Sequence, residues 1–98
     1  MAKYHLDWNM VESRIPNDPK EIAQGWKMLI GLVNKDLEHG ALKDWGAYPG
    51  DHGGFAVFEG SEMDLMMFTM KYAPYVDFRT KPVASANQVT EFLIAAAK

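Results

Sequence analysis

The sequence predicts an α+β domain built on a four-stranded antiparallel sheet, and three observations carry that prediction. Alternating apolar and polar residues near the start read as a strand. Two segments with helix-capping chemistry separate further strand-like runs, and a glycine-rich turn joins two of those runs.

From Lys3 to Met10, the apolar Tyr4, Leu6, Trp8 and Met10 alternate with Lys3, His5, Asp7 and Asn9, the period-two pattern of a strand with one buried face. After the turn Ile15-Pro16-Asn17-Asp18, the run Asp18-Pro19-Lys20-Glu21 offers an N-cap, a proline at the first helical position and a glutamate three residues on. Ile22, Trp26, Leu29, Ile30, Val33 and Leu37 then recur at three- and four-residue spacing. His39-Gly40 closes this helix, since glycine accepts the left-handed C-terminal cap.

Ala41 to Tyr48 reads as a second strand without clean alternation, and Pro49-Gly50-Asp51-His52-Gly53-Gly54 follows as a turn. Phe55-Ala56-Val57-Phe58 is apolar on both faces, as in a strand covered on both sides. Ser61 caps a second helix running to about Tyr72, with Glu62 and Asp64 in its first turn to meet the helix dipole, and Pro74 stops it. Val76, Phe78 and Thr80 form a fourth strand whose Pro82 marks an end or an edge. Ser85-Ala86-Asn87-Gln88 is a capping box leading a last helix with Val89, Phe92, Leu93 and Ala96 on one face. The order strand, helix, strand, strand, helix, strand is the ferredoxin-like βαββαβ pattern with an added C-terminal helix, one domain over residues 1–98.

Composition narrows the function. A chain 48% hydrophobic and 23% charged is that of a folded domain, not a disordered one. A net charge of −3 leaves no excess of Lys and Arg to neutralise phosphates, which argues against nucleic acid and anionic membrane. The absence of cysteine removes disulfides, thiolate zinc sites, iron–sulfur clusters and thiol chemistry. The N-terminal residues lack the apolar core of a signal peptide and no run is long enough for a membrane span, so the expected location is cytoplasmic. Gly54-Phe55-Ala56-Val57-Phe58 echoes an RNA-recognition motif, but Gly53 stands where a basic residue belongs and Val57 where an aromatic belongs.

The stretch from Trp45 through Phe58, with Tyr72-Ala73-Pro74-Tyr75-Val76-Asp77-Phe78 and Lys81-Pro82-Val83, resembles the DUF3303-like family of short bacterial and archaeal proteins of unknown function. That family looks like part of the dimeric α+β barrel superfamily, which includes cofactor-independent monooxygenases, muconolactone isomerase and YCII-like proteins. The resemblance covers about half of the chain; it implies a homodimer whose two sheets pack face to face, and it brings no catalytic motif. The residues argue for the same pairing: the third strand must put either Phe55 and Val57 or Ala56 and Phe58 on the sheet's outer face, and a second sheet would cover them.

His5, Asp7 and Asn9 share that outer face, and Arg79 of the neighbouring strand is within reach of Asp7, a set suited to acid–base work on an anionic substrate. The same residues also make an ordinary cross-strand pair that sets register or a dimer contact. A metal on His5 and Asp7 would need a further ligand such as His52, and no tight ligand spacing exists, so neither metal nor cofactor is expected. The loop at residues 48–54 can bring His52 to a pocket or serve as a plain hairpin connection. Met63, Met66, Met67 and Met70 form a helical stripe, commonly a core feature, which with Trp8, Trp26 and Trp45 can also wall an apolar pocket; Met66 and Met70 are the pocket candidates.

The sequence thus points to a cytoplasmic homodimer binding a small, partly apolar organic molecule between sheet and helices. Its enzymatic form would be a cofactor-independent isomerase or monooxygenase, with His5 as acid–base and Arg79 holding an anionic group. The alternative is a non-catalytic dimerising module.

Overall fold

The computed structural model describes residues 2–98. Period-two alternation makes Lys3–Met10 the first strand, β1, with Tyr4, Leu6 and Trp8 buried and their neighbours on the other face. A single 3-10 turn at Glu12–Arg14 leads to α1 (Pro19–Glu38), and β2 (Leu42–Ala47), β3 (Gly53–Glu59), α2 (Glu62–Met70), β4 (Val76–Val83) and α3 (Ala86–Ala96) follow. The sheet is antiparallel throughout in the order β2-β3-β1-β4. This is the ferredoxin-like α+β fold that the element order predicted. Among the described residues no helix is long and apolar enough to cross a membrane.

The helix ends follow the capping chemistry. The Asp18 carboxylate accepts from the backbone N–H of Lys20 at 3.1 Å with Pro19 in the first position, and Gly40 takes φ +81° just past the C-cap His39. Ser61 and Asp64 close a reciprocal capping box on α2, and the hydrogen bonds from the Ser61 backbone and hydroxyl hold the Asp64 carboxyl below its ordinary pKa. Ser85 and Gln88 do the same for α3.

The irregular alternation of β2 has a geometric cause. A register shift between Leu42 and Asp44 inserts one extra residue, so that Leu42 and Trp45, three apart, both turn toward the helices. β4 lies at the sheet edge, where Pro82, lacking an N–H, does least harm to the ladder.

The core lies between one face of the sheet and the two helices α1 and α2. Leu6, Trp8, Leu42, Ala56, Phe58 and Val76 from the strands meet Val33 of α1, Leu65 and Phe68 of α2, and Tyr72. Burying Leu6 and Phe58 stabilises the fold by about 1.5–3 kcal/mol each.

Two expected faces turn out differently. Leu65, Phe68 and then Tyr72 are the residues α2 directs inward, so Met63, Met66, Met67 and Met70 fall on its outer side and stand 61–70% exposed. They join neither the core nor the tryptophan cluster, because a helix that is apolar all round can bury only one side against a single layer. No residue of α3 is buried, and the face with Val89, Phe92 and Leu93 stands in solvent. The protein is correspondingly long, 61 × 25 × 19 Å, with a radius of gyration of 16.2 Å against roughly 13 Å for a compact chain of this length.

In the pairing of β1 with β3, Trp8 stands opposite Gly54. A Cβ at Gly54 would meet the Gly46 carbonyl oxygen and lie 2.7 Å from the Trp8 ring, whereas one at Gly31 would meet nothing within 4 Å. Gly54→Ala should lower stability by about 1–3 kcal/mol through overpacking. Gly31→Ala, inside α1, should raise it by about 0.5–1 kcal/mol, both read from denaturant midpoints.

Candidate functional site

The inward side of β1 places Trp8 under α1, which supplies Trp26, while the bulge of β2 turns Trp45 the same way. Trp8 stacks on Trp45 with centroids 5.3 Å apart and 8° between planes, and meets Trp26 edge-on at 6.1 Å. The Trp8 indole N–H is shared between the carbonyls of Gly46 and Phe55, each at 3.2 Å, so its polar atom is satisfied at the sheet. The three tryptophans line one apolar cavity with Ile30, Phe68 and Phe78, and its volume of about 30 Å³ is room for a water, not for an organic molecule.

A second, larger recess opens beside it and shares Trp26 and Leu29 with it. It lies where β1 ends, against the first half of α1, and has a volume of about 260 Å³. Met10, Val11, Ile15, Ile22, Trp26 and Leu29 make its apolar walls, and Arg14, His52 and Tyr75 contribute polar groups. Those three residues are exposed. Backbone hydrogen bonds fix the surrounding loops to the end of β1. The Met10 N–H donates to the His52 carbonyl at 2.8 Å, and the Val11 N–H donates to the Tyr75 carbonyl at 2.9 Å. His52 from the β2–β3 turn and Tyr75 from the turn before β4 are thereby brought to one place from opposite sides of β1.

Behind the tryptophans, Asp36 is the buried charged residue of α1. Its carboxylate accepts from the Lys71 ammonium at 2.6 Å and from the Tyr72 hydroxyl at 2.9 Å, which ties α1 to the end of α2. Burial first, then the hydrogen bond to Asp36 and that group's negative charge, push the Tyr72 phenol well above its ordinary pKa. The network is fully occupied within itself and is a clamp rather than a reactive group.

The other face of the sheet carries His5, Asp7, Asn9, Phe55 and Val57. His5 Nδ1 stands 4.0 Å from Asp7 Oδ1, and the His5 ring lies parallel to Phe55 at 6.4 Å between centroids. Tyr48 stacks on Phe55 from the β2–β3 turn. Arg79 is directly opposite Asp7 in register, yet among the described residues the ion pair between them is not formed, and Arg79 is exposed.

The expected constellation is therefore split. His5, Asp7 and Arg79 lie on one side of the sheet; Trp8, Trp26, Trp45 and His52 lie on the other, because adjacent residues of β1 point in opposite directions. The two groups cannot act on one molecule within a protomer. Met66 and Met70 line neither cavity of the tryptophan side and instead flank a shallow depression between α2 and β4. Among the described residues no three of His, Asp and Glu come together as a metal site, so His5, Asp7 and His52 do not form one.

Sequence reasoning missed Arg14, Tyr75 and Asp36. Asp36 left a signal, since it sits on the apolar stripe of α1 three residues after Val33, where a solvated charge does not belong. Arg14, in the polar run Glu12-Ser13-Arg14, and Tyr75, in a turn, left none. No protein-family model matches the chain, and no curated protein matches it.

The Tyr72 shift has a pH consequence. In the unfolded chain its hydroxyl ionises near ~10, while in the folded protein it stays protonated beyond that. The stability it contributes is complete below about pH 10 and is lost as pH rises past that value. Tyr72→Phe should cost about 1 kcal/mol at neutral pH. It should also flatten the fall of melting temperature above about pH 10, as read by circular dichroism melts of both proteins.

Proposed function

We propose that the chain is a homodimeric binding protein for a small, partly apolar organic molecule carrying an anionic group, held in the recess at the end of β1. The observation that carries this reading is the composition of that recess, lined mainly by apolar residues together with Arg14, His52 and Tyr75. Ligand sites of this kind pair apolar walls with a few convergent polar groups, and about 260 Å³ lies near the lower end of their size range, so the molecule is small. Arg14 is the natural partner for a carboxylate, through paired charge-assisted hydrogen bonds. If the molecule is turned over by cofactor-independent isomerisation or oxygenation, the acid–base group in reach is His52, not His5.

Kinship with the DUF3303-like family and with dimeric α+β barrels belongs to the same proposal, as does a cytoplasmic location. The ferredoxin-like topology supports the kinship. The half-exposed Phe55 and Val57 on the open sheet face support a second copy lying against it. They equally favour a second reading, a dimerising module without a ligand, in which His5, Asp7 and Arg79 are interface residues.

Native mass spectrometry on protein purified gently from its host, followed by titration with benzoate and its neutral analogue benzamide under Trp fluorescence, separates the two. Retained mass and preference for benzoate are expected for the binding protein. Arg14→Leu should weaken benzoate binding roughly tenfold or more, and His5→Ala should leave it unchanged. Loss of binding in His5→Ala with none in Arg14→Leu would overturn the assignment of the recess. A clean dimer indifferent to every probe favours the module. In either reading Asp7→Ala or Arg79→Ala should shift the monomer–dimer equilibrium, measured by analytical ultracentrifugation.

A further inference from the structure

The chain leaves two apolar helix faces without cover. Met63, Met66, Met67 and Met70 of α2 are 61–70% exposed, and Val89, Phe92 and Leu93 of α3 are 44–67% exposed. Taken together, the two faces expose an apolar area of roughly the 800 Å² per partner that a standard protein–protein interface buries.

α3 is not built to stand in water. Glu91 is the single charged residue between Ala86 and Ala96, and a solvated helix ordinarily carries charges along its outer face. An isolated helix of 11 residues is marginal in water, so α3 needs a surface to lie on. Its own chain does not provide one. Only Ala84 and Ser85 separate β4 from the helix, and the Ser85–Gln88 capping box fixes the direction in which α3 leaves the sheet.

We infer that α3 is an exchanged arm: its face with Val89, Phe92 and Leu93 seats on the methionine face of α2 in a second copy of this chain, and the second copy returns the contact. A two-fold axis makes the exchange reciprocal and covers both faces on both protomers at once. Methionine suits the receiving side, because its flexible thioether side chain moulds to an aromatic residue such as Phe92. The inference rests on the homodimer proposed above but not on its ligand.

The absence of cysteine makes the test direct. Met66→Cys and Phe92→Cys are made in separate, mass-distinguished chains, mixed and oxidised, beside a control in which exposed Lys27→Cys replaces Phe92→Cys. The expected result is a covalent dimer of one Met66→Cys and one Phe92→Cys chain, absent from the control. In the otherwise unaltered protein, Phe92→Glu should raise the dimer dissociation constant by roughly thirtyfold or more. Because Phe92 touches no core residue, its far-ultraviolet spectrum should still report the sheet. A dimer that forms without the α2–α3 cross-link overturns the exchange while leaving the dimer intact. A monomer at micromolar concentration overturns both. A cross-link closing inside one chain of the double variant Met66→Cys/Phe92→Cys also overturns it, and makes the chain's own α2 the seat.

Discussion

The position of Trp8 is the constraint on which the rest of the structure depends. Its indole N–H is divided between two carbonyls of the neighbouring strands, and its ring is pressed between Trp45 of the sheet and Trp26 of α1. The ring fits only because the residue opposite is Gly54, where any Cβ would collide with it. One side chain thus ties β2, β3 and α1 to β1. The inner cavity that Trp8 lines is water-sized, and the larger outer recess shares Trp26 with it.

Because β1 is the second strand from the edge and pairs along most of its length with β3 and β4, its alternation divides the protein into two chemical territories. Even-numbered residues from Tyr4 to Trp8 build the core, with Trp8 lining the small inner cavity. Odd-numbered residues present His5 and Asp7 on the open face beside Phe55 and Val57.

The Asp36 clamp explains how α2 can be anchored yet leave most of its surface free. Lys71 and Tyr72 fasten the end of α2 to α1, and Phe68 and Leu65 fill the space beneath, while Lys71 also lies over the Phe68 ring at 5.4 Å. Once those few contacts hold the helix, its methionines are released to the outside. The recess and the methionine face therefore lie on separate parts of the molecule and share no residue.

Local chemistry determined a large share of this protein without tertiary information. Strand periodicity set β1, capping residues set the starts of all three long helices, Gly40 set the end of α1, and Pro82 marked β4 as an edge. Each rests on interactions between residues close in the chain, which is why each is legible in it. The tertiary structure decided what depends on which side of an element meets another. It placed His5, Asp7 and Arg79 across the sheet from the tryptophans, turned α2 so that Leu65 and Phe68 rather than the methionines point inward, and gathered Arg14, His52 and Tyr75 from three separate connections into one recess. A helix that is apolar all round carries no periodic preference for either side, and loop residues acquire neighbours only when the strands they join are hydrogen-bonded in register. Those choices belong to the packed sheet and not to the order of residues along the chain.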